Sequence, residues 1–257
     1  MIVDDFSPTA IEERDTAVRV FFSSAADRDA AGAALASHFD VAPLDVPDED
    51  WARRSQEGLT PITVGRMTVA PPWTSPSLSP QPSALVVTIL PSMGFGTGHH
   101  ATTRLCLAAM QATGTVDMTG AVLLDVGTGS GILAIAGALL GAARAVGIDV
   151  DPDAVQSARD NLILNPGARH VNFEVADLTS AALPQAGVLT ANLTGALLVK
   201  SAPLLLAATR PGGVLILSGL QAHERDEVCR AFAPAALCWE REEDGWVGLA
   251  LEKTTRP

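Results

Sequence analysis

Short apolar runs alternate with segments of helical period through most of the second half of the chain. Five such runs predict strands, at 122–124, 145–148, 171–175, 187–191 and 214–219. Helix-like segments separate them, including an apolar stretch at 132–143 with few breakers and a segment that opens on Asp151-Pro152. This β-α order predicts a mostly parallel sheet covered on both faces. The segments 237–242 and 246–252, joined at Asp244-Gly245, predict a terminal antiparallel hairpin.

The first third of the chain has a different pattern. A strand at 18–22, a helix at 27–39 and a second strand at 41–46 predict a small α+β domain over residues 1–50. Prolines then recur through 51–82, where only short extended pieces fit, so this segment is predicted to be a linker. A β run at 84–90 opens the third part, a domain over residues 83–257.

A glycine turn follows the first strand of that domain. The turn is Gly127-Thr128-Gly129-Ser130-Gly131, and a second strand ends at Asp149, 22 positions after Gly127. A carboxylate at this spacing is typical of a group that binds ribose hydroxyls of a nucleoside cofactor. Ile132 stands where a dinucleotide fingerprint has its third glycine, which favours S-adenosylmethionine over NAD. The alternative is a glycine-rich connector in another α/β protein.

Composition narrows the class of protein. The chain has 257 residues, 47% of them hydrophobic, and a net charge of -12 with a pI near 4.7. Binding to nucleic acid through general charge is therefore not expected, although a local basic patch remains open. Residues 1–60 hold 13 Asp or Glu against 5 Lys or Arg, a balance of -8, which is either a solvated surface or a docking face for a basic protein.

The cysteines and the apolar runs indicate the cellular compartment of the protein. Cys106, Cys229 and Cys238 have neither metal spacing nor an even count, so we expect reduced thiols and a cytoplasmic protein. The acidic N-terminus does not resemble a signal peptide, and no apolar run reaches the roughly 18 residues of a membrane span. No membrane association is expected.

A second glycine-rich segment precedes a predicted helix whose apolar positions begin at Leu105. Phe95 lies between two glycines and is expected to cover a purine or a methionyl chain. Thr102 or Thr103 is expected to cap the helix. The histidine pair His99-His100 is interpreted as solvated loop residues, and no metal site is expected because no third ligand has suitable spacing.

Two later strand ends carry candidate site residues. Asp177 follows the third strand, where an adenine amino group would lie in a doubly wound fold, although a turn-starting aspartate explains it equally well. Asn192 follows the fourth strand and opens the sequence Asn192-Leu193-Thr194-Gly195. Its carboxamide and the following carbonyls can accept hydrogens from an amine and align its lone pair with an electrophilic methyl group. The alternative is an asparagine that caps the helix at 196–208.

Four segments together resemble the ribosomal protein L-eleven methyltransferase family, PrmA. They are 93–105 (MGFGTGHHATTRL), 124–136 (LDVGTGSGILAIA), 147–152 (GIDVDP) and 191–193 (ANL). The likeness covers about residues 48–257 and includes Asp50-Trp51 and Pro72-Trp73. The segment at 93–105 is typical of this family and its close relatives, whereas the glycine turn is shared by methyltransferases in general.

The resemblance implies a Rossmann-like class I methyltransferase with a mostly parallel seven-stranded sheet and a small N-terminal α+β domain that recognises the ribosomal protein. S-adenosyl-L-methionine would be the methyl donor, and Thr103, Gly127, Asp149 and Asn192 match the family's cofactor-binding positions. Together with the residue patterns, this predicts a cofactor site and a catalytic pair. The cofactor residues are Phe95, Thr103, Gly127, Gly129, Asp149, Asp177 and Asn192, and the catalytic residues are Asn192 and Leu193.

Departures from the family pattern bear on the substrate more than on the reaction. Ala101 stands where relatives often have proline, Asn192-Leu193-Thr194-Gly195 replaces Asn-Ile-Leu-Ala, and the N-terminal domain is shorter than a full ferredoxin-like domain. The expected reaction is an in-line methyl transfer to lysine ε-amines or the N-terminal α-amine of a basic ribosomal protein, by a monomer without a dedicated base.

Three alternatives remain, one of them within the methyltransferases and two from other classes of protein. An RNA or small-molecule methyltransferase is the first. A nicotinamide-dependent oxidoreductase is disfavoured by the missing third glycine. The last is a cofactor-binding protein without turnover.

Overall fold

The computed structural model describes residues 10–14, 17–22, 24–44, 59–74, 84–90, 98–179 and 183–254. The chain divides into two compact units, Met1–Arg54 and Ser55–Pro257. All the residues of the glycine turn and of the later strand ends lie in the second unit.

The first unit contains a hairpin and a helix in its described part. Strands β1 (Ala10–Arg14) and β2 (Ala17–Phe21) pair antiparallel, and helix α1 (Ala25–Leu35) follows. Ser24 caps the helix by accepting a hydrogen bond from the Asp27 N–H at 3.1 Å. The predicted strand at 41–46 is wrong for residues 41–44, which are not in a strand, and residues 45–46 lie outside the described ranges. Extended residues need a neighbouring strand, and the described sheet here has only β1 and β2.

A small sheet opens the second unit. It consists of β3 (Ile62–Val64), β4 (Met67–Ala70) and β5 (Leu85–Thr88), in which β3 and β4 are antiparallel and β4 and β5 are parallel. Met67 and Val69 are buried in the main apolar core. The segment predicted as a linker therefore contains two strands of a folded sheet, because its prolines flank these strands without interrupting their pairing.

The main sheet has seven strands in the order β11-β12-β10-β9-β6-β7-β8. Its strands are β6 (Val122–Val126), β7 (Arg144–Asp149), β8 (Val171–Val175), β9 (Ala186–Asn192), β10 (Thr209–Gln221), β11 (Ala236–Glu243) and β12 (Trp246–Glu252). Strand β12 is antiparallel to both of its neighbours, and the other pairs are parallel. The predicted mostly parallel seven-stranded sheet with a terminal hairpin is confirmed.

Helices cover both faces of this sheet. They are α2 (Ala101–Ala109), α3 (Ile132–Leu139), α4 (Pro152–Ile163), α5 (Gly195–Ala208) and α6 (Arg225–Ala231), the last preceded by a 3₁₀ turn at Ala222–Glu224. Leu123 of β6 lies in the core with α2, α3 and α4, whereas its neighbour Leu124 lies in the core with α5 and α6. Among the described residues, no helix combines the length and apolarity needed to cross a bilayer.

The strand order reverses between the central strands β6 and β9, which makes this position a topological switch point. From β6 the chain proceeds through β7 to β8 on one side, and β9 then pairs with the other side of β6. Ligands of open α/β sheets bind beyond the carboxyl ends of the strands at such a point. The segments after β6, β7 and β9 therefore form the candidate site.

Candidate functional site

The glycine turn after β6 has a backbone that ordinary side chains rarely adopt. Gly127, Gly129 and Gly131 have φ angles of 68°, 52° and 79°. The N–H groups of Gly127 and Thr128 both donate to the Ile148 carbonyl at 2.9 Å. The turn is thus bound to the end of β7, directly before the predicted ribose-binding acid.

Protein packing also requires these glycines. A Cβ atom on Gly127 would lie 2.6 Å from Leu193 Cδ2, and a Cβ on Gly131 would lie 2.7 Å from Phe173 Cζ and 2.9 Å from Ala158 Cβ. Sequence reasoning explained their small size by ligand approach alone. In the folded protein, Gly127 also lets the segment after β9 reach the turn.

Asp149 at the end of β7 is held in place by two backbone groups. Its Oδ2 accepts from the Gly129 N–H at 2.9 Å, and its Oδ1 accepts from the Asp151 N–H at 3.1 Å. Each carboxylate oxygen has a second lone pair, so both can still accept a hydroxyl hydrogen. The side chain is half-buried at the switch point, which suits contact with a ribose diol.

Two exposed valines border this carboxylate, and sequence reasoning did not select them. Val150 is 65% exposed and Val175, which is paired with Asp149, is 52% exposed. Apolar side chains at the ends of two neighbouring strands offer a surface for a flat apolar ring. The signal available in the sequence was an apolar residue directly after the acid.

Asp177 lies beyond β8 and forms a turn. Its Oδ1 accepts from both the N–H and the Oγ1 of Thr179 at 2.7 Å. These hydrogen bonds lower the pKa of the exposed carboxyl below its ordinary value. The turn-starting role is therefore present in the structure, and the adenine contact of Asp177 stays a prediction.

The segment Asn192–Gly195 reaches the glycine turn from β9. Asn192 is the last residue of β9, and within the described residues its carboxamide makes no hydrogen bond. Thr194 occupies the N-cap position of α5, so Asn192 does not cap this helix. The Leu193 N–H donates to the Ser218 carbonyl at 3.0 Å. A Cβ on Gly219 would lie only 2.3 Å from the Leu193 carbonyl oxygen, so Leu193 is confined between Gly127 and Gly219.

A buried carboxyl links the turn to β9, and sequence reasoning missed it. Asp125 of β6 accepts from Thr128 Oγ1 and from Thr190 Oγ1, each at 2.6 Å. Burial raises the pKa of this carboxyl to about 6, above its ordinary value of 3.8. The available signal was an acid at the end of an apolar strand, immediately before a glycine turn.

The start of α2 differs from its predicted capping. The N-cap is His100, whose Nδ1 accepts from the Thr102 N–H, and both Thr102 and Thr103 are buried. The His100 ring also lies edge-on to Trp246, with 5.0 Å between ring centroids. The interpretation of the histidines as solvated loop residues is therefore wrong for His100, because its ring caps α2 and packs against Trp246, the first residue of β12. His99 is also engaged, with its Nε2 2.9 Å from the Thr60 carbonyl oxygen.

Arg104 connects the same helix start to the hairpin. Its Nε donates to Glu243 Oε1 at 2.6 Å and its Nη2 donates to Asp244 Oδ2 at 3.2 Å, while Nη1 bonds to the His99 carbonyl. Thr103 lies within this anchored segment on the buried side of α2. The helix start that carries a predicted cofactor residue is thus fastened by residues far away in the sequence.

The two remaining predictions from the sequence concern Phe95 and the lack of a metal site. Phe95 lies outside the described ranges, so its cover of the ligand stays a prediction. In the described part of the chain, no three His, Cys, Asp or Glu residues are grouped as a metal site.

This arrangement defines a Rossmann-like class I methyltransferase: a doubly wound parallel sheet, a G-x-G-x-G turn at its switch point, an acid ending the next strand and an asparagine ending the strand on the other side. A solved structure named ribosomal protein L11 methylase, from Lactobacillus delbrueckii subsp. bulgaricus, has the same fold. The match has a TM-score of 0.68 at 24% identity and covers 76% of this chain and 100% of that chain.

The chain belongs to the ribosomal protein L11 methyltransferase family, PrmA, whose model matches residues 4–254. A relative from Azotobacter vinelandii named ribosomal protein L11 methyltransferase is 41% identical over 206 residues, which are 79% of this chain and 68% of the relative. Another of the same name, from Geobacter sulfurreducens, is 39% identical over 250 residues, covering 91% of this chain and 81% of that protein.

Proposed function

We propose that this chain transfers methyl groups from S-adenosyl-L-methionine to lysine ε-amines, the N-terminal α-amine, or both, of ribosomal protein L11. One observation carries the proposal: Leu193 packs directly over Gly127. The end of β9 therefore adjoins the first residue of the glycine turn, so a donor held by the turn and an amine held at Asn192 would be neighbours. The names of the relatives supply the protein substrate.

The donor side consists of the glycine turn and Asp149. Asp149 accepts hydrogen bonds from the ribose hydroxyls. Gly127 and Gly129 have no side chains, so the methionyl part of the donor can approach the backbone of the turn. The remaining proposed contacts come from Phe95, Thr103, Asp177 and Asn192. S-adenosyl-L-methionine supplies the sulfonium methyl group, and these residues hold it in one orientation.

The acceptor side consists of Asn192 and Leu193. The Asn192 carboxamide oxygen and nearby carbonyls accept hydrogens from the incoming amine, which points the nitrogen lone pair at the methyl group. A free lysine has a pKa of about 10.4 and is mostly protonated at neutral pH, so the neutral amine must be selected or must lose a proton to water. Leu193 forms the apolar wall that favours the neutral amine over the ammonium ion.

The negative net charge of the chain is complementary to a basic protein substrate. The chain carries a net charge of -12, and a basic ribosomal protein would be attracted to it over long range. We expect a cytoplasmic monomer that contacts its protein substrate without binding nucleic acid directly.

The test is a methyl-transfer assay with purified ribosomal protein L11 and labelled S-adenosyl-L-methionine. Label should enter the protein, and mass spectrometry should locate it on lysine or N-terminal amines. A matched control uses ribosomal protein L11 whose amines have been blocked beforehand, which should take up no label. Label found in RNA or a small molecule, with none in the protein, would overturn the substrate assignment.

The role of Asn192 has its own test. The Asn192→Ala variant should lose turnover by about 100-fold, in the range expected when a positioning contact is removed. Its affinity for S-adenosyl-L-methionine, measured by calorimetry, should fall much less. Full turnover in this variant with normal cofactor binding would show that Asn192 does not position the amine.

A further inference from the structure

The outer edge of β5 is paired with side chains instead of a strand. The Thr88 N–H donates to Asn165 Oδ1 at 2.8 Å and the Thr88 carbonyl accepts from Asn165 Nδ2 at 2.7 Å. Two residues on, the Leu90 N–H donates to Asn161 Oδ1 at 2.8 Å. Asn161 lies in the last turn of α4, and Asn165 follows two residues after the end of this helix. The end of α4 and the residue just beyond it therefore supply the hydrogen bonds that a neighbouring strand would supply.

Asn161 has a second contact that Asn165 lacks. Its Nδ2 donates to the Ser130 carbonyl at 2.9 Å, and Ser130 lies inside the glycine turn. The second acceptor of Asn165 Nδ2 is the Asn161 carbonyl near the end of α4, at 2.7 Å. Both side chains are buried, with Asn161 only 1% exposed, so neither can replace a lost partner with bulk water.

The Ser130 carbonyl belongs to a peptide group that is held at both ends. The N–H of the same peptide, that of Gly131, donates to the Thr128 carbonyl at 2.9 Å. Gly129 and Gly131 flank this segment, and glycine changes the sign of φ at little cost. Loss of the bond from Asn161 would loosen the Ser130–Gly131 peptide, which is one residue away from the Gly129 N–H that binds Asp149.

We propose that Asn161 is a positioning residue for the methyl donor: it fixes the Ser130–Gly131 peptide and so keeps the glycine turn and Asp149 in the donor-binding geometry. The inference rests on the proposed role of this turn in binding S-adenosyl-L-methionine. Asn161 is not a catalytic residue, because it acts through the Ser130 carbonyl. Asn165 has the matching structural role on β5 without the contact to the turn.

The experiment compares Asn161→Asp with Asn165→Asp. Each change keeps the acceptor oxygen that receives a backbone N–H, from Leu90 or from Thr88, and replaces the buried NH₂ donor with a second oxygen. Both should lower stability, and Asn165→Asp by at least as much, because it loses two donated hydrogen bonds against one. Only Asn161→Asp places that oxygen against the Ser130 carbonyl. We expect its Kd and KM for S-adenosyl-L-methionine to rise about tenfold, corresponding to about 1.4 kcal/mol, with kcat at saturating donor within about twofold. Asn165→Asp should leave both constants within about twofold of the original protein.

Asn161→Ala and Asn165→Ala provide the second pair if either buried carboxyl prevents folding, since each removes the whole amide, donor and acceptor alike, without adding charge. Equal changes in Kd for both positions, at equal losses of melting temperature, would show that Asn161 stabilises the fold only. Failure of the unmodified protein to bind S-adenosyl-L-methionine would instead overturn the proposed function. The two failures are therefore distinguishable in one calorimetric series.

Discussion

The proposed donor side and the proposed acceptor side of the site are held by different interactions. On the donor side, the glycine turn and Asp149 are joined by directed hydrogen bonds, including the bond from the Gly129 N–H to Asp149. On the acceptor side, Leu193 is confined by close approach of Gly127 and Gly219. The donor side should therefore be sensitive to lost polar groups, and the acceptor side to added volume. Asp125 lies between them and bonds to one threonine from each side.

The largest effect is expected from added volume on the acceptor side. Gly219→Ala would place a Cβ 2.3 Å from the Leu193 carbonyl oxygen, at a residue whose φ is 88°. We expect a loss of about 4 kcal/mol in the free energy of unfolding, because overpacking and left-handed backbone strain add. Denaturation measures this loss, and turnover should fall with it while the donor still binds.

Gly114→Ala is the matched control. Gly114 has a φ of 78°, and a Cβ on this residue would meet no atom within 4 Å, so only backbone strain remains. Its expected cost is about 1 kcal/mol. Equal losses at the two positions would contradict the claim that confinement of Leu193 organises the acceptor side.

Removal of a polar group on the donor side should give the next largest effect. Asp149→Ala takes away the acceptor for the Gly129 N–H and the proposed acceptor for the ribose hydroxyls. Charge-assisted hydrogen bonds contribute about 1.5 to 3 kcal/mol each. We expect the affinity for S-adenosyl-L-methionine to fall about 100-fold in calorimetry. Asp177→Ala should have a smaller effect, since this exposed carboxyl already accepts two bonds from Thr179. Unchanged binding in Asp149→Ala would remove this residue from the site.

Local rules explain why the strand, turn, helix and strand over residues 122–150 could be predicted. The apolar run before Asp125, the spaced glycines and Asp149 at the next strand end all lie within residues 122–150, and their structure follows from short-range turn and helix preferences. The seven-stranded sheet followed from the β-α order for the same reason.

Long-range contacts explain what could not be predicted. Asn165 bonds to Thr88 across 77 positions, and Arg104 bonds to Glu243 across 139. No periodicity in a single sequence indicates which buried asparagine or surface arginine meets a distant partner. Short extended pieces were expected where β3 and β4 lie, but their pairing into a folded sheet was not. The prolines around them have the composition of a linker, and the partner strand β5 comes later in the chain.

The pH dependence of stability tests the carboxyl that connects the two sides. Burial raises the folded pKa of Asp125 to about 6, while the unfolded chain should have the ordinary value of 3.8. The folded state then binds more protons between these values, so the contribution of Asp125 to stability is greatest below pH 4 and falls as pH rises through 6. The fall is at most about 3 kcal/mol, given about 1.4 kcal/mol for each pH unit of difference.

Asp125→Asn removes this titration while keeping an oxygen acceptor. The stability of the unmodified protein relative to this variant should decrease between pH 4 and pH 7.5, as measured by urea unfolding at several pH values. Thr190→Val, which removes one donor and leaves the carboxyl in place, should retain the pH dependence. Parallel stability curves for the original protein and Asp125→Asn would show that this carboxyl has no raised pKa.

The smallest expected effect is a coupling between the two sides. Gly127→Ala would bring a Cβ within 2.6 Å of Leu193 Cδ2, the far end of a flexible side chain. Leu193→Ala removes that atom, so the double variant should lose about 1 kcal/mol less stability than the sum of the single variants. The backbone strain at Gly127, where φ is 68°, remains in both backgrounds and cancels from the comparison. Strict additivity would mean that Leu193 and the glycine turn do not constrain each other, and that donor and acceptor sides are assembled independently. A measurable coupling would show that the position of Leu193 depends on Gly127, the residue that opens the glycine turn.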